Sequence, residues 1–108
     1  KPQVWYLDLF AGKNDHEAVR RAGESGHKEI NRTNLSTDQI AEDLKKDVVQ
    51  KQLALIRMRN THKAFSEGAE VAISGGESSL QIRWEYNSAF ATLNVNFESG
   101  TYTIVESR

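Results

Sequence analysis

The side chains in this sequence that could do chemistry are a few carboxylates, three histidines and one loop arginine. Asp8, Asp15 and Glu17 lie close together, Arg32 follows in a polar stretch, and the histidines stand at 16, 27 and 62. Paired carboxylates can share general acid and base work, histidines can hold a metal, and a guanidinium can pin an anion. The spacing argues against most of this. The histidines lack ligand-like separations and cysteine company, so no metal site is expected. Asp15 and Glu17 fall where a helix begins, and there a carboxylate is explained by capping and the helix dipole. Asp8 interrupts an apolar run, reads as buried by its context, and asks for a reason. Arg32, just after Ile30 in a loop, is open to two readings, an exposed charge or a contact to an anionic group. Glycines 12, 23, 26, 75 and 76 form no phosphate-cradling motif after a strand, so no nucleotide or other cofactor is expected. Asn31-Arg32-Thr33 and Asn34-Leu35-Ser36 match the glycosylation sequon, and read as chance in a chain without secretory features. Taken alone, these residues define no catalytic set.

The elements that must position them follow from periodicity. "VWYLDLF" (4–10) is a near-continuous apolar and aromatic run of strand length, the pattern of a strand covered on both faces. No second such run exists, so this strand lacks partners and is expected to be disordered, paired with another chain, or packed onto the helix at 38–60. "NDHEAVRRAG" reads as a helix of about two turns, with Asn14 as N-cap and Gly23 as a left-handed stop. "ESGHKEINRTNL" reads as irregular. Ser36 or Thr37 caps a longer helix on which Ile40, Leu44 and Val48, then Val49, Leu53 and Ile56, form an apolar stripe. Asp47 could cap a fresh turn within it, so one bent helix and two abutting helices are both open.

The remainder is strand signal. "EVAIS" (70–74), "SLQIRWEY" (79–86), "AFATLNVNF" (89–97) and "TYTIVES" (101–107) are separated by hairpin-length turns, Asn87-Ser88 and Glu98-Ser99-Gly100 among them. They predict a four-stranded antiparallel meander with Leu80, Ile82, Trp84 and Tyr86 on one face.

With 108 residues and 38% hydrophobic composition, the chain is one domain's worth of sequence. A formal net charge of -1 points to no nucleic-acid or anionic-membrane partner. There are no cysteines, which excludes disulfides and fits a reducing, cytoplasmic compartment. No apolar run approaches the ~20 residues that span a bilayer. The chain opens Lys1-Pro2 and its one methionine is Met58, so it is expected to be a piece of a longer protein.

Strand, "AGKND" (11–15), short helix, "INR" (30–32), polar cap, a long helix carrying "VVQKQLALIRMRNTHKAF" (48–65), and a small β-domain closing on "TYTIVES" form one ordered pattern. It resembles the C-terminal end of sucrose phosphorylases and related glycoside phosphorylases of glycoside hydrolase family 13. The resemblance implies an α+β fragment: the last β-strand and helices of a (β/α)8 barrel in residues 1–65, followed by a small antiparallel β-domain in 66–108. The polar stretch 11–37 would then be a loop at the C-terminal face of that barrel, where such enzymes keep their active sites. The implied reaction is a retaining double displacement, in which an Asp nucleophile takes a glucosyl group, a Glu serves as acid and then base, and inorganic phosphate releases glucose 1-phosphate. Those carboxylates would lie upstream of Lys1, so no catalytic residue is expected in this chain and the isolated chain is expected to be inactive. By the same resemblance Arg32 is substrate-binding, pairing with an upstream Asp to hold the glucosyl unit, with Asp8 as a second candidate. "INR" continues here as "TNLS" where sucrose-active members have "HYYS", Asp8 stands where a small or apolar residue is expected, and Asp47 replaces a proline. Sucrose and a related α-glucoside are therefore both carried as substrates. The partners implied are that sugar and phosphate, and a homo-oligomer would be one way to cover the unpaired strand. The reading from a different class is a stand-alone α+β accessory or carbohydrate-binding module.

Overall fold

The computed structural model describes residues 3–108. The chain forms two compact units, Lys1–Ile56 and Arg57–Arg108.

In the first unit the run at 4–10 is not a strand. It makes a single helical turn, α1 (Tyr6–Leu9). All four strands of the described residues lie beyond residue 69, so a strand here would expose unpaired N–H and C=O groups along both edges. The helical turn pairs them locally instead: the Leu9 amide donates to the Trp5 carbonyl at 3.0 Å and Phe10 to Tyr6 at 3.1 Å. The turn ends in a Schellman arrangement, with Gly12 N–H donating to the Leu7 carbonyl (2.8 Å) and Ala11 N–H to that of Asp8 (3.1 Å). Ala11 adopts the left-handed conformation at φ 48°. Leu7 is buried and sits so close to Gly12 that a Cβ there would collide with the Leu7 side chain. The turn is tied to the 38–60 stretch, where Gln52 Nε2 donates to the Leu9 carbonyl at 3.2 Å.

Helix α2 (His16–Ala22) is capped by Asp15 rather than Asn14, with Asp15 Oδ1 accepting from the Ala18 amide at 2.8 Å. Both residues can cap, but the carboxylate adds a full negative charge beside the positive end of the helix. Gly23 ends it at φ 67°, ψ -145°, a conformation outside the left-handed helical well that only glycine tolerates. The stretch expected to be irregular continues as 3-10 turns over Gly23–Glu29. The long apolar stripe resolves into two helices, α3 (Thr37–Asp43) and α4 (Asp47–Thr61). Ser36 caps α3, its hydroxyl accepting from the Gln39 amide at 3.1 Å. Val49 is the fully buried residue of α4.

The second unit holds the meander as expected: β1 (Glu70–Gly76), β2 (Ser79–Tyr86), β3 (Ala89–Asn96) and β4 (Thr101–Glu106), all antiparallel in the order β1-β2-β3-β4. The turns use Asn87 (φ 53°) and Gly100 (φ 64°), as hairpins of this length require. The register aligns Ile73 with Ile82, Ile82 with Leu93, and Leu93 with Ile104, so an apolar row crosses all four strands on one face. A 3-10 turn at Lys63–Phe65 covers part of the sheet, with the Phe65 and Trp84 rings 5.2 Å apart and Ala64 and Ala91 buried. His62 holds this turn: its Nδ1 accepts from the Ala64 amide at 3.2 Å and its Nε2 lies 2.8 Å from the Ser107 carbonyl. A carbonyl only accepts, so the proton is on Nε2. On the opposite face Arg83 lies over the Phe90 ring at 4.3 Å and pairs with Glu85.

Candidate functional site

The long polar connection between α1 and α3 is tied shut by its own backbone. Asp15 N–H donates to the Ile30 carbonyl at 2.8 Å, and the Thr33 hydroxyl donates to the Lys13 carbonyl at 2.7 Å. These two bonds bring "AGKND" and "INR" together from about twenty positions apart in sequence. A loop with little apolar side chain to bury gains its order this way, from hydrogen bonds rather than packing.

Where the two motifs meet, a pocket of about 390 Å³ opens. Gly12 and Lys13 line it from one side, Thr33 and Asn34 from another, and Asp43 and Lys46 from α3 and the turn after it. Asp43 is 2% exposed, an unusual place for a carboxylate. Its Oδ1 accepts from Lys46 Nζ at 2.8 Å and from Gln39 Nε2 at 2.9 Å. Lys46 Nζ also lies 3.3 Å from each of the Phe10 and Ala11 carbonyls, so its three protons have three acceptors and it ties the end of α1 to α3. These contacts hold the Asp43 carboxyl below its ordinary value: hydrogen bonding from Lys46 is the main cause and Gln39 the next, with burial opposing. A carboxyl whose folded-state pKa is depressed adds stability above its unfolded value, about 3.9, and that contribution disappears as pH falls through the folded-state value. Thermal unfolding of the 108-residue chain followed from neutral pH into the acid range is expected to show this loss below about pH 4. In Asp43→Asn the acid dependence should flatten while the melting temperature at neutral pH falls. Parallel pH profiles for the two proteins would remove Asp43 from this role.

The structure separates the two substrate-binding candidates. Asp8 is exposed on α1, not buried; a single helical turn presents its neighbour Leu7 to the interior and turns Asp8 outward, and the contact Asp8 makes there is through its backbone carbonyl, 3.4 Å from Gln52 Nε2. Arg32 lies just outside the pocket. Its Nη1 donates to Glu29 Oε1 at 3.1 Å, with half of the side chain exposed. No ion pair joins Asp8 to Arg32 among the described residues. Nor do those residues hold any group of three His, Asp or Glu side chains placed to bind a metal, and no helix among them is long and apolar enough to cross a membrane. Sequence reading missed Gln39, Asp43 and Lys46, although their i,i+4 and i,i+3 spacing was there to be seen.

No protein-family model matches the chain. The chain is similar over nearly its whole length to the C-terminal part of sucrose phosphorylases and of a glucosylglycerol phosphorylase. It is 48% identical over 103 residues to the sucrose 6(F)-phosphate phosphorylase of Ilumatobacter coccineus, covering 95% of this chain and 20% of that protein. It is 39% identical over 106 residues to the sucrose phosphorylase of Agrobacterium vitis (98% and 21% covered) and 36% over 110 residues to the glucosylglycerol phosphorylase of Marinobacter adhaerens (98% and 22%). Among solved structures, the sucrose 6F-phosphate phosphorylase from Thermoanaerobacter thermosaccharolyticum superposes with a TM-score of 0.87 at 35% identity, over 99% of this chain and 21% of that one. The chain thus spans about a fifth of the length of the curated relatives it matches.

Proposed function

We propose that this chain is the C-terminal part of a retaining α-glucosyl transferase that moves glucose between sucrose, or a related α-glucoside, and inorganic phosphate. The observation that carries the reading is the 48% identity to a sucrose 6(F)-phosphate phosphorylase over nearly the whole chain. In the proposal residues 1–65 belong to the barrel-bearing catalytic part of a family 13 enzyme and residues 66–108 form its C-terminal β-domain. The protein is placed in the cytoplasm, and self-association is carried as part of the proposal. The nucleophile and acid/base carboxylates come from the rest of the parent protein. This chain contributes Arg32, whose guanidinium can donate to an upstream carboxylate from one edge and to a glucosyl hydroxyl from the other. Half of that side chain is exposed, and a single Glu29 oxygen is its side-chain partner here, which leaves donors for both tasks. Asp8, exposed at the far end of α1, is the weaker of the two substrate contacts.

The test is an assay of glucose 1-phosphate release with phosphate and sucrose, sucrose 6F-phosphate or glucosylglycerol as donor. The parent protein is expected to turn over at least one of them, and the isolated 108-residue chain none. Turnover by the isolated chain, or a parent protein silent on every α-glucoside, would sink the reading.

A further inference from the structure

Arg32 is the residue on which the proposed function depends, yet its own loop carries little apolar packing. The backbone on either side of it is nevertheless held by hydrogen bonds. The peptide joining Asn31 to Arg32 is bonded at both ends: its N–H donates to the Glu29 carbonyl at 3.1 Å, and its C=O accepts from the Trp5 indole N–H at 2.8 Å. Two peptides further on, where Thr33 joins Asn34, the Thr33 carbonyl accepts from the Tyr6 hydroxyl at 2.9 Å, while the Thr33 side chain donates to the Lys13 carbonyl at 2.7 Å. The Cα of Arg32 therefore follows a peptide bonded at both its ends, and the residue after it is held through its own carbonyl and hydroxyl. Both outer donors come from adjacent residues of the α1 turn, whose rings are 5.2 Å apart and brace each other. Both side chains are more than a third exposed, so their burial explains little of why a tryptophan and a tyrosine stand here. Their polar atoms are used on the carbonyls of Asn31 and Thr33, the residues on either side of Arg32.

We infer that Trp5 and Tyr6 are positioning residues that fix the backbone of Arg32, and through it the direction in which the guanidinium meets the sugar. The inference rests on the proposed role of Arg32. A side chain aimed by a rigid backbone loses less entropy on meeting substrate, and small misplacement at a binding group is costly in rate. The experiment uses the full-length parent protein and removes one polar atom at a time. Tyr6→Phe and Trp5→Phe keep the rings and delete the two donors. Each is expected to lower kcat/KM roughly two- to tenfold, the range of one ordinary hydrogen bond, with the melting temperature nearly unchanged. The decisive arm repeats both substitutions in an Arg32→Ala background. If the donors act through Arg32, they should there cost nothing further, giving a coupling as large as the single effects. Equal losses in the two backgrounds, or no loss in either, would overturn the inference while leaving the role of Arg32 intact. An Arg32→Ala protein with unimpaired kinetics would instead remove the functional reading and this inference with it.

Discussion

Arg32→Ala in the full-length parent protein is expected to lower kcat/KM ten- to hundredfold and to leave the melting temperature almost where it was. A charge-assisted hydrogen bond to bound substrate contributes about 1.5–3 kcal/mol, which is that factor in rate when it is lost from the transition state. The fold has much less at stake. Among the described residues Arg32 makes one ion pair, with Glu29, and the two side chains are 53% and 39% exposed. A pair so open to solvent and salt adds little, and truncating an exposed loop side chain shifts stability by about 0.5 kcal/mol or less. Arg32→Lys should recover little of the activity, because a single ammonium cannot face a carboxylate and a sugar hydroxyl in one plane. Steady-state kinetics with the preferred donor, set beside thermal melts of both variants, decide the matter. Unchanged kinetics, or a melting temperature that collapses along with the rate, would return Arg32 to a surface charge.

The largest loss of stability is expected from Leu7→Ala. Leu7 is 2% exposed in an otherwise open segment, and its side chain fills the space that Gly12 leaves by lacking a Cβ. Removing a buried leucine side chain costs about 2–5 kcal/mol, which is a large share of the ~5–15 kcal/mol that holds a typical domain folded. The damage should spread, because the Schellman turn after α1 presents the Leu9, Phe10 and Ala11 carbonyls to Gln52 and Lys46. Once α1 loosens, those donors lose their targets and Lys46 keeps Asp43 alone of its three acceptors. Urea unfolding followed by circular dichroism, with amide exchange at Phe10 and Gly12, measures the effect. Val105→Ala, at a side chain 54% exposed, is the control and should change stability by no more than about 0.5 kcal/mol. Equal unfolding free energies for the two variants would mean that Leu7 is not the anchor of its unit.

Sequence reading recovered the β-unit almost to the residue and misjudged the run at 4–10. The difference is physical. In β2 and β3 the alternation of Leu80, Ile82 and Trp84 with Gln81, Arg83 and Glu85 reports one wet and one dry face, and each strand's neighbour is the next in sequence, so the local pattern contains its own partner. "VWYLDLF" has strand composition but no adjacent ladder, and propensity yields when backbone groups can be paired only by a helical turn. Gly12 as the end of a Schellman turn was the available signal. The site was half legible. "AGKND" and "INR" stood out as motifs, but their closure by Asp15 with Ile30 and Thr33 with Lys13 is made by backbone carbonyls, which no side-chain pattern encodes. The buried Asp43 was hidden for a similar reason: on an amphipathic helix a carboxylate reads as solvated until its lysine and glutamine partners are seen together.

The division of the chain between Ile56 and Arg57 has a preparative consequence. The single methionine, Met58, stands two positions beyond it, and the two tryptophans, Trp5 and Trp84, lie on opposite sides. Cyanogen bromide, which cuts after methionine, would release residues 1–58 and 59–108 with each compact unit nearly whole and carrying its own indole. Without any label or added mutation, intrinsic fluorescence of either peptide would then report on that unit alone.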